Sequence, residues 1–365
     1  MKILILQPNM VVGGIEKSLL NFLELFKNDH EIDLFLLSNK GEFLANIDTK
    51  KVNIITSKNA KHPKNMINEI FRKFAILTGM KSYFKKTQFL MQKEYDVAIC
   101  YHGMNLELLK IMKLNVIAKK KVAIIHGDPS RLNKRILKES LSVNDKVACV
   151  SKSCSNELIK MFPSFDNKIS FIYNPQNSEE IIQKSKEYVI EYEDKQKVHL
   201  LSVARLGREK GHLRLLGVAK KLISEGITDF HIHLVGDGEM YHCVRDTIKN
   251  DSLEDCVTMY GNKINPYPYF INADLFVLMS YHEAAPMVIG ECSLLKLPIL
   301  STKTISAEEM IGEAGLVCEN SDLSLYLHLK DLILNKKDKT KDYNFSKILD
   351  NKDYKKIIEK LLMEA

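Results

Sequence analysis

Residues 198–226 read VHLLSVARLGREKGHLRLLGVAKKLISEG, and three patterns succeed one another within them. VHLLSVA is a short apolar run of strand length. ARLGREKG is polar, carries two glycines, and holds Arg205, Arg208 and Lys210. HLRLLGVAKKLISEG then places its apolar residues three and four apart, as one face of a helix does. Strand, glycine-containing loop and helix in that order make one unit of a parallel sheet, so the question is whether the unit recurs.

It recurs on both sides. Downstream, FHIHLVG, CVTMYG, DLFVLMS, LPILST and AGLVC are strand-like, with helical stretches such as EMYHCVRDTIKN between them. Upstream, KILILQP, EIDLFLLS, YDVAICY, KKVAIIH and DKVACVS form a similar series, with GIEKSLLNFLELFKN as a helix after the first. From about Ser178 to Lys197 the chain turns charged and loses its apolar runs, as a linker or connecting helix does. We therefore expect two domains, 1–177 and 178–344, each a parallel sheet covered on both faces. YKKIIEKLLMEA closes the chain as an amphipathic helix, about 345–365, free to pack back on the first domain, and LNKKDKTKD at 334–342 is expected to be a solvated loop.

Composition narrows the class. With 365 residues, 45% hydrophobic and 27% charged, the chain can build sizeable cores. It has no run of eighteen apolar residues, and MKILILQPNM is too short and poorly flanked for a signal peptide. Seven scattered cysteines without a CxxC fit free thiols in a reducing cytoplasm and argue against zinc. The net charge of +7 is unevenly placed: residues 58–93 hold nine lysines and arginines against the single acid Glu69, interleaved with aromatic and aliphatic residues. Such a segment fits an anionic membrane face, or equally a solvated helical face whose apolar residues join the core. No recognition motif accompanies it, so nucleic acid is not expected.

The strand ends carry the chemistry, because open parallel sheets bind ligands beyond the carboxyl ends of their strands. Arg205 and Lys210 follow a strand in a glycine-containing loop, where a guanidinium and an ammonium suit a diphosphate. Surface charge alone would explain each residue singly. QPNMVVGGIEKSLLNF sets Gly13 and Gly14 before a helix, where backbone amides can approach an anion; a tight turn explains the pair about as well. HLVGDGEM ends another strand, with Asp237 expected as an N-cap. In SYHEAAPMVIGE, residues 280–291, Glu283 lies in the loop after a strand and Glu291 in the second turn of the following helix, with Pro286 at its start.

Together VVGGIEKSL, HGD at 126–128, CVSKS, IYNP, SVARLGREKG, LVGDGE and SYHEAAPMVIGE make the chain resemble, over nearly its whole length, the retaining glycosyltransferases of family 4. The resemblance implies the α/β GT-B fold, two Rossmann-like parallel-sheet domains facing each other across a cleft. It implies transfer of a hexose or N-acetylhexosamine from a nucleotide-diphosphate sugar, most often UDP, to a saccharide acceptor, lipid-linked, in capsule or exopolysaccharide assembly. Arg205 and Lys210 would bind the diphosphate, Glu291 the ribose, and Glu283 the transferred sugar. Gly13 and Gly14 would lie near phosphates or acceptor, His126 beside the sugar, and Asn262 with Gly261 near the base. The chain has no DxD triplet, so these cations are expected to replace a metal, and no cofactor is expected. The expected location is cytoplasmic, peripheral on the inner membrane face through 58–93. Ala284 and Ala285 follow Glu283 where many members have a glycine first, and Leu294, Leu295 and Lys296 replace small residues, which alters the sugar pocket.

Alternatives stay open at this stage. A nucleotide-sugar epimerase on the same scaffold would release free epimerised sugar. A non-catalytic nucleotide-sugar-binding scaffold would tolerate Glu283→Ala. A glycoside hydrolase would use two carboxylates roughly 5–9.5 Å apart but has no need of Arg205 and Lys210.

Overall fold

In a computed structural model that describes residues 1–56, 66–335, 343–345 and 351–363, the chain divides into two compact units. Unit 1 is Met1–Pro175 with Asn351–Ala365, and unit 2 is Gln176–Asp350.

Unit 1 holds a seven-stranded sheet. Its strands are β1 (Lys2–Gln7), β2 (Glu31–Leu36), β3 (Val52–Thr56), β4 (Glu94–Cys100), β5 (Ile117–Ile125), β6 (Lys146–Cys149) and β7 (Ile169–Phe171). Every pairing is parallel, in the order β3-β2-β1-β4-β5-β6-β7. Ile3, Leu4, Ile5 and Leu6 are all fully buried, which explains why this strand reads as an unbroken apolar run: helices cover both of its faces. The strands β3 and β7 lie at the two edges; they are short, and neither stands out as an apolar run. The helix Asn351–Met363 seats Tyr354, Ile358 and Leu362 in this unit's core, with Lys355 bonded to Asp29 at 2.5 Å.

Unit 2 repeats the plan with six strands: β8 (Val198–Val203), β9 (Phe230–Val235), β10 (Val257–Gly261), β11 (Leu275–Leu278), β12 (Ile299–Thr302) and β13 (Gly315–Cys318). They run parallel in the order β10-β9-β8-β11-β12-β13. Alternate residues of β8 serve opposite faces. Val198 and Leu200 join a core with Leu215, Leu222 and Phe230, while Leu201 joins one with Phe270, Phe276 and Ile289. The charged stretch before β8 is a short helix, Ser178–Lys184, followed by irregular chain up to Lys197.

Each sheet reverses direction of growth once, between β1 and β4 in unit 1 and between β8 and β11 in unit 2. Loops leaving two such neighbouring strands diverge to opposite faces, which opens a crevice at their carboxyl ends. In unit 2 the loop after β8 carries Arg205 and Lys210, and the loop after β11 carries Glu283. Among the described residues no helix is long and apolar enough to cross a membrane. The expected loop at 334–342 lies largely outside the described residues, as does 58–65 of the basic segment.

Candidate active site

The loop after β8 descends into a short 3-10 turn, Arg208–Lys210, and then the helix His212–Ser224. Gly211 makes the junction at φ +73°, and a Cβ there would stand 2.2 Å from the Met279 carbonyl oxygen, so only glycine fits. This close approach binds the β8 loop to the end of β11. The Tyr281 amide adds to it by donating to the Glu209 carbonyl at 2.8 Å.

Across that seam the charged side chains pair. Lys210 Nζ donates to Glu283 Oε1 at 2.6 Å, and Ser280 Oγ donates to the same oxygen at 2.7 Å. Both partners are shielded, with 23% and 11% of their side-chain surfaces exposed. Arg205 Nη2 donates to Glu209 Oε1 at 2.5 Å, in a pair whose Arg is 59% exposed. The structure thus brings Lys210 and Glu283 into direct contact and sets Arg205 on the same loop, each cation holding a carboxylate.

A second layer fixes the Glu283 loop. Thr302 Oγ1 donates to the Ser280 carbonyl at 2.7 Å, and Asn320 Nδ2 to the Tyr281 carbonyl at 3.1 Å and the Lys303 carbonyl at 3.0 Å. The buried Arg214, on the helix after Gly211, bonds Asn320 Oδ1 at 2.7 Å, Asp322 Oδ1 at 2.9 Å and the Met279 carbonyl at 3.3 Å. Its guanidinium also lies 4.4 Å from the centre of the Tyr281 ring. None of Arg214, Asn320, Ser280 or Glu209 stands out in the sequence reading. A buried arginine inside an apolar helical face, LRLL, is the one local signal that points to such a brace.

Glu291 sits on the helix Met287–Leu294, buried, five residues past the N-cap Pro286. Gln176 Nε2 donates to the Met287 carbonyl at 2.8 Å and packs against Gly290, beside Glu291 in the chain. Asn262 is exposed in the loop after β10, whose strand is separated from β8 by β9. Asp237 does not cap a helix. The helix Tyr241–Asn250 starts after Met240, and Asp237 Oδ1 accepts from the Gly238 amide at 2.7 Å instead. The turn is tied to the β8 loop instead: the Leu206 amide donates to the Asp237 carbonyl and the Met240 amide to the Leu206 carbonyl, both at 2.9 Å, while Gly236, at φ +145°, and Gly238 leave no room for a Cβ beside the Ala204 and Leu206 carbonyls. Near the same loop, burial with Lys210 nearby pulls the His212 imidazole down to about 4.

Unit 1 gathers a different set at the ends of β1, β4 and β5. Gly13 is the extended N-cap of the helix Gly14–Phe26, and a Cβ on Gly14 would meet open space. Glu16 occupies the helix's first turn and accepts from Gln7 Nε2 at 3.1 Å; burial raises its carboxyl pKa, against the bonds from its own backbone and Gln7. His126, after β5, has its ring centre 5.2 Å from that of Tyr101. Burial, with His102 close by, pulls its pKa to about 3, so the ring is neutral near pH 7; a backbone bond to Tyr101 acts the other way. Tyr101 Oη shares a 2.8 Å hydrogen bond with Ser18 Oγ, which donates to Asn174 Oδ1 at 2.9 Å and so fixes the IYNP stretch. A carboxyl in the first turn and a neutral imidazole suit hydroxyl groups better than a phosphate.

The basic segment is partly engaged within unit 1. Glu107 accepts from Arg72 Nη2 at 3.0 Å and Tyr83 Oη at 2.9 Å, with Lys86 at 3.6 Å, and Lys93 pairs with Glu31 and Asp33 at 2.8 Å each. Ile70, Phe74 and Leu77 of the helix Met66–Thr78 nonetheless lie exposed at helical spacing. An open cavity of about 360 Å³ nearby is lined by residues including Lys81, Lys85, Phe84 and Met91.

Comparison with known proteins bears on the family and the fold. Residues 183–347 match the family model described as "Glycosyl transferases group 1". The "N-acetyl-alpha-D-glucosaminyl L-malate synthase" of Bacillus anthracis is 26% identical over 209 residues, 55% of this chain and 52% of that protein. A Campylobacter jejuni protein named as an N-acetylgalactosamine-N,N'-diacetylbacillosaminyl-diphospho-undecaprenol 4-alpha-N-acetylgalactosaminyltransferase is 28% identical over 208 residues, 56% of this chain and 55% of that protein. The chain thus spans about half the length of these curated relatives. Among solved structures, Anabaena HepE in complex with UDP and glucose superposes with a TM-score of 0.74 at 16% identity, covering 100% of both chains. Staphylococcus aureus TarM reaches 0.73 at 12% identity, again over 100% of both. At such identities the structural likeness is one of fold, the GT-B fold, and residues 183–347 of this chain are similar to the group 1 glycosyltransferases.

Proposed function

We propose that the chain transfers a hexose or N-acetylhexosamine from a UDP-sugar to a saccharide acceptor, with retention at the anomeric carbon and without a metal ion. The observation that carries the reading is the seam at the β8/β11 switch point, where Lys210, on the loop that also bears Arg205, meets Glu283 of the β11 loop at 2.6 Å. Cations at a strand end stabilise the charge that grows on a departing diphosphate, and bracing that seam in advance removes reorganisation from the reacting step. Arg205 and Lys210 hold the diphosphate, Glu283 the sugar hydroxyls, and Glu291 the ribose. Asn262 and Gly261 border the base. The acceptor hydroxyl attacks from the side the diphosphate leaves, and the departing phosphate oxygen takes its proton, so no protein nucleophile is required.

Gln7, Glu16 and His126 of unit 1, with Gly13 and Gly14, receive neutral hydroxyls of the acceptor. The solved relatives support a UDP donor, since HepE is described with UDP and glucose and TarM with UDP. The Campylobacter relative's name, with its diphospho-undecaprenol acceptor, supports a lipid-linked saccharide and glycan assembly on the inner membrane face. The exposed stripe Ile70, Phe74 and Leu77, with Lys81 and Lys85 exposed beside it, supports attachment of the chain to an anionic surface there.

Calorimetric titration with UDP-, GDP- and ADP-sugars tests the donor. Binding of a UDP-sugar that Lys210→Met weakens at least tenfold is expected; indifference to all three, or to the substitution, refutes it. Sedimentation with phosphatidylglycerol vesicles at low salt tests the surface. Phe74→Ser with Leu77→Ser should leave the protein in the supernatant.

A further inference from the structure

We propose that the Lys210–Glu283 pair makes this site select a nucleotide that still carries its sugar over the bare nucleotide, and so ejects the product nucleotide. The inference rests on the donor reading above and adds to it an exchange of partners that neither loop shows by itself. Glu283 Oε1 has two donors, Lys210 Nζ at 2.6 Å and Ser280 Oγ at 2.7 Å. Lys210 is therefore not waiting for a phosphate; it already holds an anion.

A diphosphate that draws Lys210 away strips Glu283 of its countercharge. The carboxylate is 11% exposed, so water replaces the lost donor poorly, and Ser280 alone remains. A charge left in such a place without its partner is costly. A sugar attached to the diphosphate supplies hydroxyl donors to Glu283 and cancels that cost; bare UDP does not. Once the sugar has left, Glu283 competes for Lys210 again and the nucleotide loosens. Arg205 and Glu209 make a similar pair, but there the Arg is 59% exposed and water can serve both partners, so the selectivity resides in the buried pair.

The test is a calorimetric cycle on the full-length protein with UDP, UDP-glucose and UDP-N-acetylglucosamine. In wild type the better UDP-sugar binds more tightly than UDP. In Glu283→Gln, which keeps shape and removes charge, UDP is expected to bind roughly tenfold more tightly, equivalent to about 1.4 kcal/mol. The preference for the sugar-bearing nucleotide collapses in the same variant. In the Lys210→Met background, Glu283→Gln should give a gain of less than about twofold, which separates partner exchange from simple removal of a negative charge. Unchanged or weaker UDP binding by Glu283→Gln, or an equal gain without Lys210, overturns the exchange. Failure of wild type to bind any of the three removes the donor reading instead, and the exchange with it.

Discussion

Replacing Arg214 with methionine measures how firmly the Glu283 loop is braced. Arg214 is 2% exposed at its side chain and ties the Met279 carbonyl, Asn320 and Asp322 together while stacking on Tyr281. Methionine keeps the aliphatic packing and removes every donor. The hydrogen bonds from a charged donor to the Asn320 and Met279 oxygens are worth about 1.5–3 kcal/mol where the acceptors are left buried. The Asp322 partner is 70% exposed, so its share is at most about 1 kcal/mol after solvent screening. Stacking on Tyr281 adds roughly 0.5–1 kcal/mol, and release of the guanidinium's own desolvation cost subtracts from the sum. The expected net loss is about 2–4 kcal/mol, read from the midpoint of denaturant unfolding. Because the chain has two units, hydrogen exchange must assign the change to residues 279–283 and 320–322. Arg214→Lys should recover little, since a point charge cannot span the three acceptors. A loss below about 0.5 kcal/mol, or faster exchange spread evenly over unit 2, would falsify the bracing argument.

Other outcomes follow from single features. Gly211→Ala places a Cβ 2.2 Å from the Met279 carbonyl in a left-handed backbone, so unit 2 should lose more than about 2 kcal/mol in the same assay, and donor binding with it. Burial pulls His231 to about 4 and His233 to about 2, and the neighbouring histidines add to both. Unfolded imidazoles take up protons near pH 6.5 while these do not, so stability is full above that pH and falls as the pH drops toward 4. Each such histidine contributes a slope of about 1.4 kcal/mol per pH unit, and His233→Gln should flatten the acid limb of a melting-temperature profile. Of the seven cysteines only Cys243 is exposed, so a thiol reagent should titrate one group quickly in the native protein and the rest on unfolding. Two fast thiols would contradict the fold of the strands that bury Cys149 and Cys318.

How much of this could be read beforehand depends on how local the cause is. The strands β1, β8 and β11 are apolar on both sides because helices cover both faces of the sheet, and that constraint is written in consecutive residues. Edge strands such as β3 (VNIIT) and β7 (ISF) are half-covered and short, so no run of residues records them. The strand-end positions of Arg205, Lys210 and Glu283 follow from strand, loop and helix in sequence. Their pairing does not, because 73 residues separate Lys210 from Glu283 and only the order of strands makes their loops neighbours. The pairing of Arg214 with Asn320 is illegible for the same reason, since 106 residues separate them. The misplaced Asp237 cap has a subtler cause: the Gly-Asp-Gly turn is tied to the backbone of the β8 loop, not set by the helix that follows it.

The charge arrangement and the brace belong to one design problem. A site for a diphosphate needs converging cations, and converging cations repel one another until the ligand arrives. Holding Arg205 against Glu209 and Lys210 against Glu283 offsets that repulsion, at the cost of carboxylates that a ligand must displace. Displacement leaves the site intact only where the backbone cannot follow the departing side chains. The contacts from Gly211, Arg214, Thr302 and Asn320 to the main chain of residues 279–281 supply that condition, since all of them grip carbonyls or the space beside them and none grips Glu283 itself. The loop is therefore fixed while its carboxylate is free to change partners, and a chain lacking the brace would release Glu283 and its loop together.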